Sequence, residues 1–327
     1  MQRPSLLVKV QSTIKASLLA DQHYLLAVSG GADSLALAHA CAVLAQQGWG
    51  HYSVCHVEHG LRAAESLRDM ELVKQFCRQY KLPCYVEQVD VLSLAEAEHL
   101  SLEEAARNLR YAVLRRIASA VGAKMIVTAH HRGDQAETVL IKLLRGAGLD
   151  GLAGMRSCQN DIIRPLLAVD RSELVDYCRL TGTEYCTDST NADTVYTRNR
   201  VRLLLLPLLQ KQFNPDIIPT LARTANLLAQ DANCLTQLAD ELYIQSAQIK
   251  ADSISFSAAV LMQQPAALRQ RLLRRAYFDL GGKELSYERT LALESLCSSR
   301  RGGKLVQLPG KIVAVYKKRQ IIFIKSR

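Results

Sequence analysis

The strongest constraint on the fold is an alternation of short apolar runs and helical segments in the first 130 residues. Four runs rich in β-branched or aromatic residues predict strands, and a stretch with helical periodicity separates each from the next. The runs cover residues 24–28, 52–57, 83–89 and 124–129. Strands joined by helices require right-handed crossovers and a parallel sheet that is covered on both faces. The sequence therefore predicts an α/β fold with a doubly wound parallel sheet.

The helices of this domain have recognisable start and stop signals. They are predicted over residues 34–47, 63–80, 101–121 and 134–144. Gly48 ends the first of them, and Ser101 caps the third, which carries Glu103 and Glu104 in its first turn. A helix over 199–210 is expected to close the domain.

Positive charge is concentrated towards the carboxy terminus. Residues 251–327 contain 15 Lys and Arg against 5 Asp and Glu, which accounts for the whole net charge of +10. Helices are predicted over 266–280 and 287–298, and a hairpin over 304–325. We expect a first domain (1–210), a helical linker (211–250) and a smaller basic α+β domain. Clustered cations release counterions from phosphates, which predicts a nucleic acid partner; a solvated basic surface is the alternative.

Cysteines and apolar stretches limit the remaining classes of protein. The nine cysteines form no C-x-x-C pair, which argues against zinc, iron–sulfur and thioredoxin-like sites and indicates reduced, mostly buried thiols. The leucine-rich run over 203–209 is interrupted by Pro207 and is far shorter than the ~20 apolar residues of a membrane span. No secretory signal is recognisable at the amino terminus. A cytoplasmic protein without a membrane segment is expected.

A glycine-containing loop follows the first predicted strand directly and precedes a helix. Its residues are Ser29-Gly30-Gly31-Ala32-Asp33-Ser34. Backbone N–H groups and the positive end of a helix dipole then point at one place, as a pyrophosphate requires, and the spacing is neither Walker A nor G-x-G-x-x-G. Asp33 would repel a phosphate unless a cation lies between them, so the loop predicts a nucleotide bound with Mg²⁺. The alternative is a tight turn that Asp33 caps.

Polar segments also follow the second and fourth predicted strands. They are residues 56–62 (HVEHGLR) and 130–138 (HHRGDQAET). The carboxyl ends of parallel strands meet at one crevice, so both segments should face the loop. Asp134 and Glu137 share a helix face and could hold Mg²⁺, or bind a cationic substrate and accept its protons. A divalent-metal hydrolase, or histidines that only cap strand ends, are the alternatives.

The S-G-G-x-D-S segment resembles the pyrophosphate loop of the N-type ATP pyrophosphatases, which implies cleavage of ATP between its α and β phosphates. A longer ordered series resembles the tRNA(Ile)-lysidine synthase family over roughly residues 20–210. The matching segments are His56–Arg62, Glu104–Tyr111 (EAARNLRY), Ala129–Met155, Arg164–Leu167 (RPLL) and Asp188–Leu209.

This resemblance implies a reaction in two steps. ATP adenylates O2 of the wobble cytidine in a CAU anticodon, and the ε-amine of free L-lysine then attacks C2 and expels AMP. The product base, lysidine, pairs with A and changes the codon read from AUG to AUA. ATP and Mg²⁺ are the implied cofactors, and tRNA(Ile) is the implied partner of the basic domain. A homodimer is left open.

The resemblance also implies roles for individual residues. Asp134 and Glu137 would hold and deprotonate the lysine amine, Arg107 would neutralise developing charge, and Asp33 would act through Mg²⁺. The nucleotide-binding candidates are Ser29, Gly30, Gly31, Ala32, Asp33, Ser34, His56, His59 and His131. The candidates for binding the substrates are Arg110, Arg198, Asn199, Arg202, Arg300, Arg301 and Lys304. Ion pairs within the protein are the alternative role for Arg107, Arg198 and Arg202.

The sequence departs from the family pattern at two places, and two other functions were considered. Glu58 stands where the family pattern has asparagine, and Arg132-Gly133 stands where a hydrophobic-acidic pair is common, which concerns details of the pocket. The chain resembles shorter family members with one C-terminal domain. A tRNA thiolase with the same loop typically needs paired cysteines, which the sequence lacks. A non-catalytic RNA-binding module would not need Asp33, Asp134 or Glu137.

Overall fold

A computed structural model describes residues 6–58, 63–187, 195–283, 285–299 and 303–325. The chain divides into two compact units, residues 1–229 and 230–327. The boundary falls within a long helix, α11 (Ile217–Ser246), which occupies most of the predicted linker.

The first unit contains a six-stranded sheet with helices on both sides. Its strands are β1 (His23–Ala27), β2 (His51–Glu58), β3 (Cys84–Gln88), β4 (Met125–Val127), β5 (Cys158–Gln159) and β6 (Ile162–Ile163). Its helices before residue 190 are α1 (Leu6–Ser17), α2 (Ala32–Gln46), α3 (Ala63–Tyr80), α4 (Val91–Glu98), α5 (Leu102–Ala120), α6 (Arg132–Leu144), α7 (Leu149–Leu152) and α8 (Arg171–Thr181).

A helical segment with one irregular turn follows. It consists of α9 (Thr197–Arg200), a π-helical turn (Val201–Leu205) and α10 (Leu206–Gln212). Within the π-helical turn the backbone N–H of Leu206 donates to the carbonyl of Val201, five residues earlier. The wider turn changes which side chains share a face of the helix.

The strand order of the first sheet confirms the doubly wound prediction. The order is β3-β2-β1-β4-β6-β5, with β1, β2, β3, β4 and β6 parallel. Only β5 runs antiparallel, against β6. These last two strands have two residues each, which is too few to show a period, so they were not predicted from the sequence.

Both faces of this sheet are buried. Alternate residues of β1 point to opposite sides of the sheet, and helices cover each side. Leu26 belongs to a cluster with Leu37 of α2, while Leu25 belongs to a second cluster with Leu114 and Ile117 of α5. Burying each leucine side chain contributes about 2 kcal/mol. The strand is therefore held centrally, which fixes where the loop after it begins.

The predicted helices are present with small shifts at their ends. The third has its predicted cap, since the Ser101 side chain accepts a hydrogen bond from the Glu104 N–H at 3.3 Å. The first begins at Ala32 rather than Ser34, so Asp33 and Ser34 lie in its first turn. Five of the nine cysteines are buried and all nine are unpaired, as predicted.

The second unit has an antiparallel sheet and three short helices in its described part. Its strands are β7 (Gln248–Lys250), β8 (Ser253–Ser257), β9 (Leu305–Leu308), β10 (Ile312–Lys317) and β11 (Gln320–Lys325), in the order β7-β8-β11-β10-β9. Its helices after α11 are α12 (Ala258–Gln263), α13 (Ala266–Asp279) and α14 (Tyr287–Cys297). This confirms a smaller α+β domain; residues 248–250, assigned to the linker, belong to its sheet.

One face of the second sheet packs on the helices. Phe256 and Phe323 lie in one cluster with Leu272 and Leu273 of α13 and with Leu293 of α14. Of all the helices described, none combines the length and the apolar character needed to cross a membrane.

We predict that Phe323→Ala destabilises the second unit by about 3–5 kcal/mol, because it empties a fully buried site on β11. The next residue, Ile324, points to the other face and is 42% exposed, so Ile324→Ala should cost less than about 1 kcal/mol. Urea unfolding followed by circular dichroism measures both. Trp49, the chain's single tryptophan, lies in the first unit and reports that unit by fluorescence. Equal losses in the two variants would contradict this packing.

Candidate active site

The candidate site lies where the strand order of the first sheet changes direction. β1 and β4 are neighbours, but the chain leaves β1 towards β2 and leaves β4 towards β6, so a crevice opens between the segments that follow them. A cavity of about 460 Å³ occupies this crevice. Residues from the ends of β1, β2 and β4 line it together with residues of α3 and α5. The predicted convergence of these strand ends is therefore present.

The phosphate loop, residues 29–34, turns sharply at Gly30, whose φ is +91°. Only glycine adopts this conformation readily. The first intrahelical hydrogen bond of α2 runs from Leu35 N–H to the Gly31 carbonyl at 3.0 Å. The N–H groups of the first turn therefore have no intrahelical acceptor and, with the helix dipole, favour an anion at this end.

The two serines of the loop shape it internally. The Ser34 hydroxyl donates to the Gly31 carbonyl at 2.9 Å and accepts from the Ser29 N–H at 3.2 Å. The Ser29 and Ser34 hydroxyl oxygens are 3.3 Å apart. Since the Ser34 proton is used inside the loop, Ser29 has the freer hydroxyl for a ligand.

Asp69 of α3 lies next to the phosphate loop, and no sequence motif predicted a role for it. A Cβ on Gly30 would come within 3.3 Å of the Asp69 Cβ, so the loop and α3 approach closely. Asp69 Oδ1 is buried without a hydrogen-bond partner, and the residue lines the cavity. On the same side the Cys186 N–H donates to the Gly30 carbonyl at 2.9 Å.

Asp33 presents a carboxylate oxygen suited to a cation. Its Oδ1 is buried without a hydrogen-bond partner, and its Oδ2 lies 3.7 Å from both His131 Nε2 and Arg171 Nε. Burial raises the pKa of Asp33 above its ordinary value. Mg²⁺ usually takes one or two carboxylates together with phosphate oxygens, so this residue fits the predicted ion.

His131 caps α6 and links the two halves of the site. Its Nδ1 accepts hydrogen bonds from the Gly133 and Asp134 N–H groups at 3.0 and 3.4 Å, while Asp134 Oδ2 accepts from the His131 N–H at 2.9 Å. Because Nδ1 accepts, Nε2 is the ring nitrogen that carries a proton. That N–H points between Asp33 and Asp134, 3.7 and 3.5 Å away.

The acidic pair of α6 is bound to two arginines. Arg198 Nε lies 2.7 Å from Glu137 and its Nη2 lies 2.8 Å from Asp134. Arg202 Nε lies 2.6 Å from Glu137, and its Nη2 lies 3.5 Å from Asp134. Glu137 is 2% exposed, so its charge depends on these partners. The alternative role predicted for the two arginines was ion pairing within the protein, and these ion pairs are present.

The charge of Asp134 is favoured despite its burial. Burial by itself favours the neutral acid, but His131 and the Arg198 guanidinium outweigh it and lower the pKa of Asp134. Asp134 and Arg202 line the cavity, whereas Glu137 is reached through Arg202. The acidic pair and the phosphate loop thus belong to one site.

The pKa values of two histidines at the cavity, His56 and His130, are lowered. His56, at the end of β2, has its Nδ1 2.9 Å from the Val28 carbonyl, and burial lowers its pKa. His130 has its Nδ1 2.8 Å from the Thr128 hydroxyl, and burial together with nearby arginines lowers its pKa to about 3. Both line the cavity. Each can form hydrogen bonds with the base of a nucleotide, and a neutral ring does not attract the phosphates of that nucleotide.

A group of arginines surrounds the Tyr111 ring on the far wall of the cavity. The guanidinium carbons of Arg107, Arg110 and Arg115 lie 5.1, 5.4 and 5.7 Å from the ring centre. Burial and the neighbouring cations Arg107 and Arg198 lower the pKa of Arg110. Arg164, 4% exposed, donates from Nη1 to the Arg156 carbonyl at 2.9 Å. Arg164 is the first residue of the RPLL segment, and no role was predicted for it from the sequence.

The remaining predicted residues fall elsewhere. Asn199 lies on α9 between the arginine-bearing turns. Lys304 belongs to the second unit, where its Nζ donates to the Ser295 hydroxyl at 3.2 Å. His59, Arg300 and Arg301 lie outside the described residues. Their assigned roles stay predictions.

Comparison with known families matches both units. Residues 5–209 match the model described as a PP-loop domain, and residues 256–319 match the model of the TilS substrate binding domain. Among solved structures, the U34-tRNA thiolase NcsA from Methanococcus maripaludis aligns with a TM-score of 0.58 at 16% identity, covering 68% of this chain and 80% of that one. This likeness shows the fold alone.

Curated relatives named tRNA(Ile)-lysidine synthase align along most of the chain. That of Geobacter sulfurreducens is 36% identical, over 91% of this chain and 64% of the relative. That of Clostridium tetani is 32% identical, over 88% and 62%. That of Caldanaerobacter subterraneus is 31% identical, over 100% and 70%. The chain therefore spans about two thirds of the length of these relatives. It belongs to the tRNA(Ile)-lysidine synthase family of PP-loop proteins.

Proposed function

We propose that this chain uses ATP to activate the wobble cytidine of a CAU-anticodon tRNA(Ile) and joins free L-lysine to that base. The observation that carries the proposal is that Asp33 of the phosphate loop and Asp134 of the acidic pair line one cavity. An anion-binding helix terminus and a cation-binding acidic pair are what a reaction between a nucleotide and an amine needs. The names of the relatives supply the particular substrates.

In the first step O2 of the cytidine attacks the α-phosphorus of ATP, and the bond to pyrophosphate breaks. The N–H groups at the start of α2 and the dipole of that helix stabilise the negative charge that develops on the leaving phosphates. Asp33 would hold Mg²⁺, which supplies positive charge to the pyrophosphate. The product is a cytidine whose O2 carries AMP.

In the second step the lysine ε-nitrogen attacks C2, and the C2–O2 bond breaks so that AMP leaves with that oxygen. An ammonium group cannot attack, so a proton must first go to a base. Asp134, which lines the cavity, and its neighbour Glu137 are the carboxylates that we assign to this step, but two guanidiniums now bind them. We expect the incoming amine to replace part of these contacts, which makes the carboxylates better bases. The modified cytoplasmic tRNA would read AUA instead of AUG.

The direct test is incorporation of labelled lysine into CAU-anticodon tRNA(Ile), with elongator tRNA(Met) as the control RNA. We predict ATP-dependent incorporation into tRNA(Ile) only. Asp33→Asn should lower it by at least about 100-fold, because the charge opposite the pyrophosphate is lost. The matched variant Asp176→Asn, on the outer face of α8 where it pairs with Arg179, should keep full activity. Incorporation that persists in Asp33→Asn, or that is absent from the unmodified protein, would refute the proposal.

Glu137→Gln tests the acidic pair. We predict that the KM for lysine rises about 10- to 100-fold while the KM for ATP stays the same, since a charge-assisted hydrogen bond contributes about 1.5–3 kcal/mol. Steady-state AMP formation at varied lysine and varied ATP separates the two constants. Glu294→Gln is the control, because Glu294 also binds an arginine, Arg269, but belongs to the second unit. A parallel rise in both constants would assign Glu137 a structural role only.

The basic second unit is proposed to bind the tRNA. Replacing Arg300, Arg301 and Lys304 with glutamine should raise the Kd for tRNA and reduce the salt dependence of log Kd, by about 0.9 for each lost phosphate contact. Filter binding at several salt concentrations measures this. The control replaces Arg78, Lys81 and Lys124. These residues precede β3 and β4 and so lie at the amino-terminal ends of the strands, whereas the cavity lies at the carboxyl-terminal ends. Equal slopes for the two triple variants would remove the argument for this surface. Whether the chain forms a homodimer stays open.

A further inference from the structure

Two cysteines of the first unit meet where α3 is followed by β3. Cys77 lies in the last turn of α3, and Cys84 is the first residue of β3. The chain turns back between them, since the Leu82 N–H donates to the Cys77 carbonyl at 2.9 Å. The six residues 78–83 separate the two cysteines, a spacing that matches no C-x-x-C motif.

The register of the sheet directs Cys84 towards Cys77. Cys84 is opposite Val54 of β2, and residues that are opposite each other in paired strands point to the same face of a sheet. Val54 and Cys77 both belong to the buried cluster on the face that α3 covers, and Cys84 packs against that cluster. The two thiols are within hydrogen-bonding reach of each other. They are therefore close together before any bond forms between them.

Cys84 combines access to solvent with a stabilised thiolate. It is half-buried, whereas Cys77 is 2% exposed. The Cys77 S–H donates to the Cys84 sulfur, and this hydrogen bond, helped by the ammonium group of Lys74, lowers the pKa of Cys84 to about 7. Burial instead raises the pKa of Cys178 and of Cys297. The thiolate is the form of cysteine that reacts with oxidants, so Cys84 has the features of a reactive thiol.

We propose that Cys77 and Cys84 are a modification site at which a hydroperoxide produces a reversible disulfide. The Cys84 thiolate attacks one peroxide oxygen, and the O–O bond breaks. Cys84 becomes a sulfenic acid, and the alkoxide or hydroxide that leaves takes a proton from solvent. The Cys77 sulfur then attacks the Cys84 sulfur, and the S–O bond breaks. The hydroxide that leaves takes the Cys77 proton and becomes water, so two thiols are oxidised and one peroxide is reduced.

The neighbouring thiol decides how far the oxidation of Cys84 goes. A sulfenic acid without a partner is oxidised further to a sulfinic acid, which ordinary thiols do not reduce. Condensation with Cys77 stops the oxidation at the disulfide, which thiols do reduce. The bond joins the last turn of α3 to the start of β3, at the amino-terminal ends of the strands and away from the cavity. This modification needs neither ATP nor tRNA.

The test treats the full chain with hydrogen peroxide and digests it with trypsin under non-reducing conditions. Trypsin cleaves after Lys74, Arg78 and Lys81, so Cys77 and Cys84 leave on separate peptides that a disulfide would join. We expect mass spectrometry to find the joined peptides as the main oxidation product, and dithiothreitol to separate them again. If no joined peptides form in the folded chain, the proposal is overturned.

Two variants separate the two steps. In Cys77→Ala, whose folding is checked by circular dichroism, peroxide should leave a sulfenic acid on Cys84 that dimedone traps. In Cys84→Ser the joined peptides disappear, and peroxide consumption should slow by about tenfold or more. The control replaces the exposed Cys158 and Cys234 with serine and should leave the yield of joined peptides unchanged. A folded Cys77→Ala without the adduct on Cys84, or faster oxidation of Cys158 or Cys234 than of Cys84, would also overturn the proposal.

Discussion

The site depends on β1 being hydrogen-bonded along both of its edges. β2 and β4 flank it in parallel, and the helices on either face bury its leucines, so the strand cannot shift along its own axis without breaking both sets of contacts. A parallel strand that is covered in this way is rigid. Only Val28 separates the phosphate loop from this strand, so the position of the loop's N–H groups is determined by the core rather than by the loop.

The second constraint is electrostatic. The acidic pair and its two arginines place four charged groups in a region where Glu137 is almost inaccessible to water. Burying charges costs several kcal/mol for each ion unless partners compensate it. Here every member has two partners of opposite sign, so the group is balanced before any substrate binds. A positively charged ligand could reach these carboxylates only by replacing contacts that a guanidinium now makes.

Much of this architecture could be predicted from sequence, because strands, helix starts and turns depend on residues that are close together in the chain. The runs before Ser29 and His130 predicted strands that meet at one crevice, and Ser101 predicted a helix start that the structure contains. Pairings between distant residues could not be predicted this way. Arg198 and Glu137 are 61 positions apart, and no periodicity links them. Asp69 was missed for the same reason, since only the closeness of α3 to Gly30 brings it to the cavity.

The π-helical turn between α9 and α10 lets one short segment satisfy two demands. Val201 and Leu206 are five residues apart and would point about 140° away from each other on a regular α-helix. Both are nevertheless buried in one apolar cluster with Ala136 and Leu140. The extra residue in the turn brings them to the same side while the arginine side chains still reach α6. Removing a single residue there would rotate the two halves of the segment by about 100° relative to each other. The segment could then keep either its apolar contacts with α6 or its ion pairs with Asp134 and Glu137, but not both.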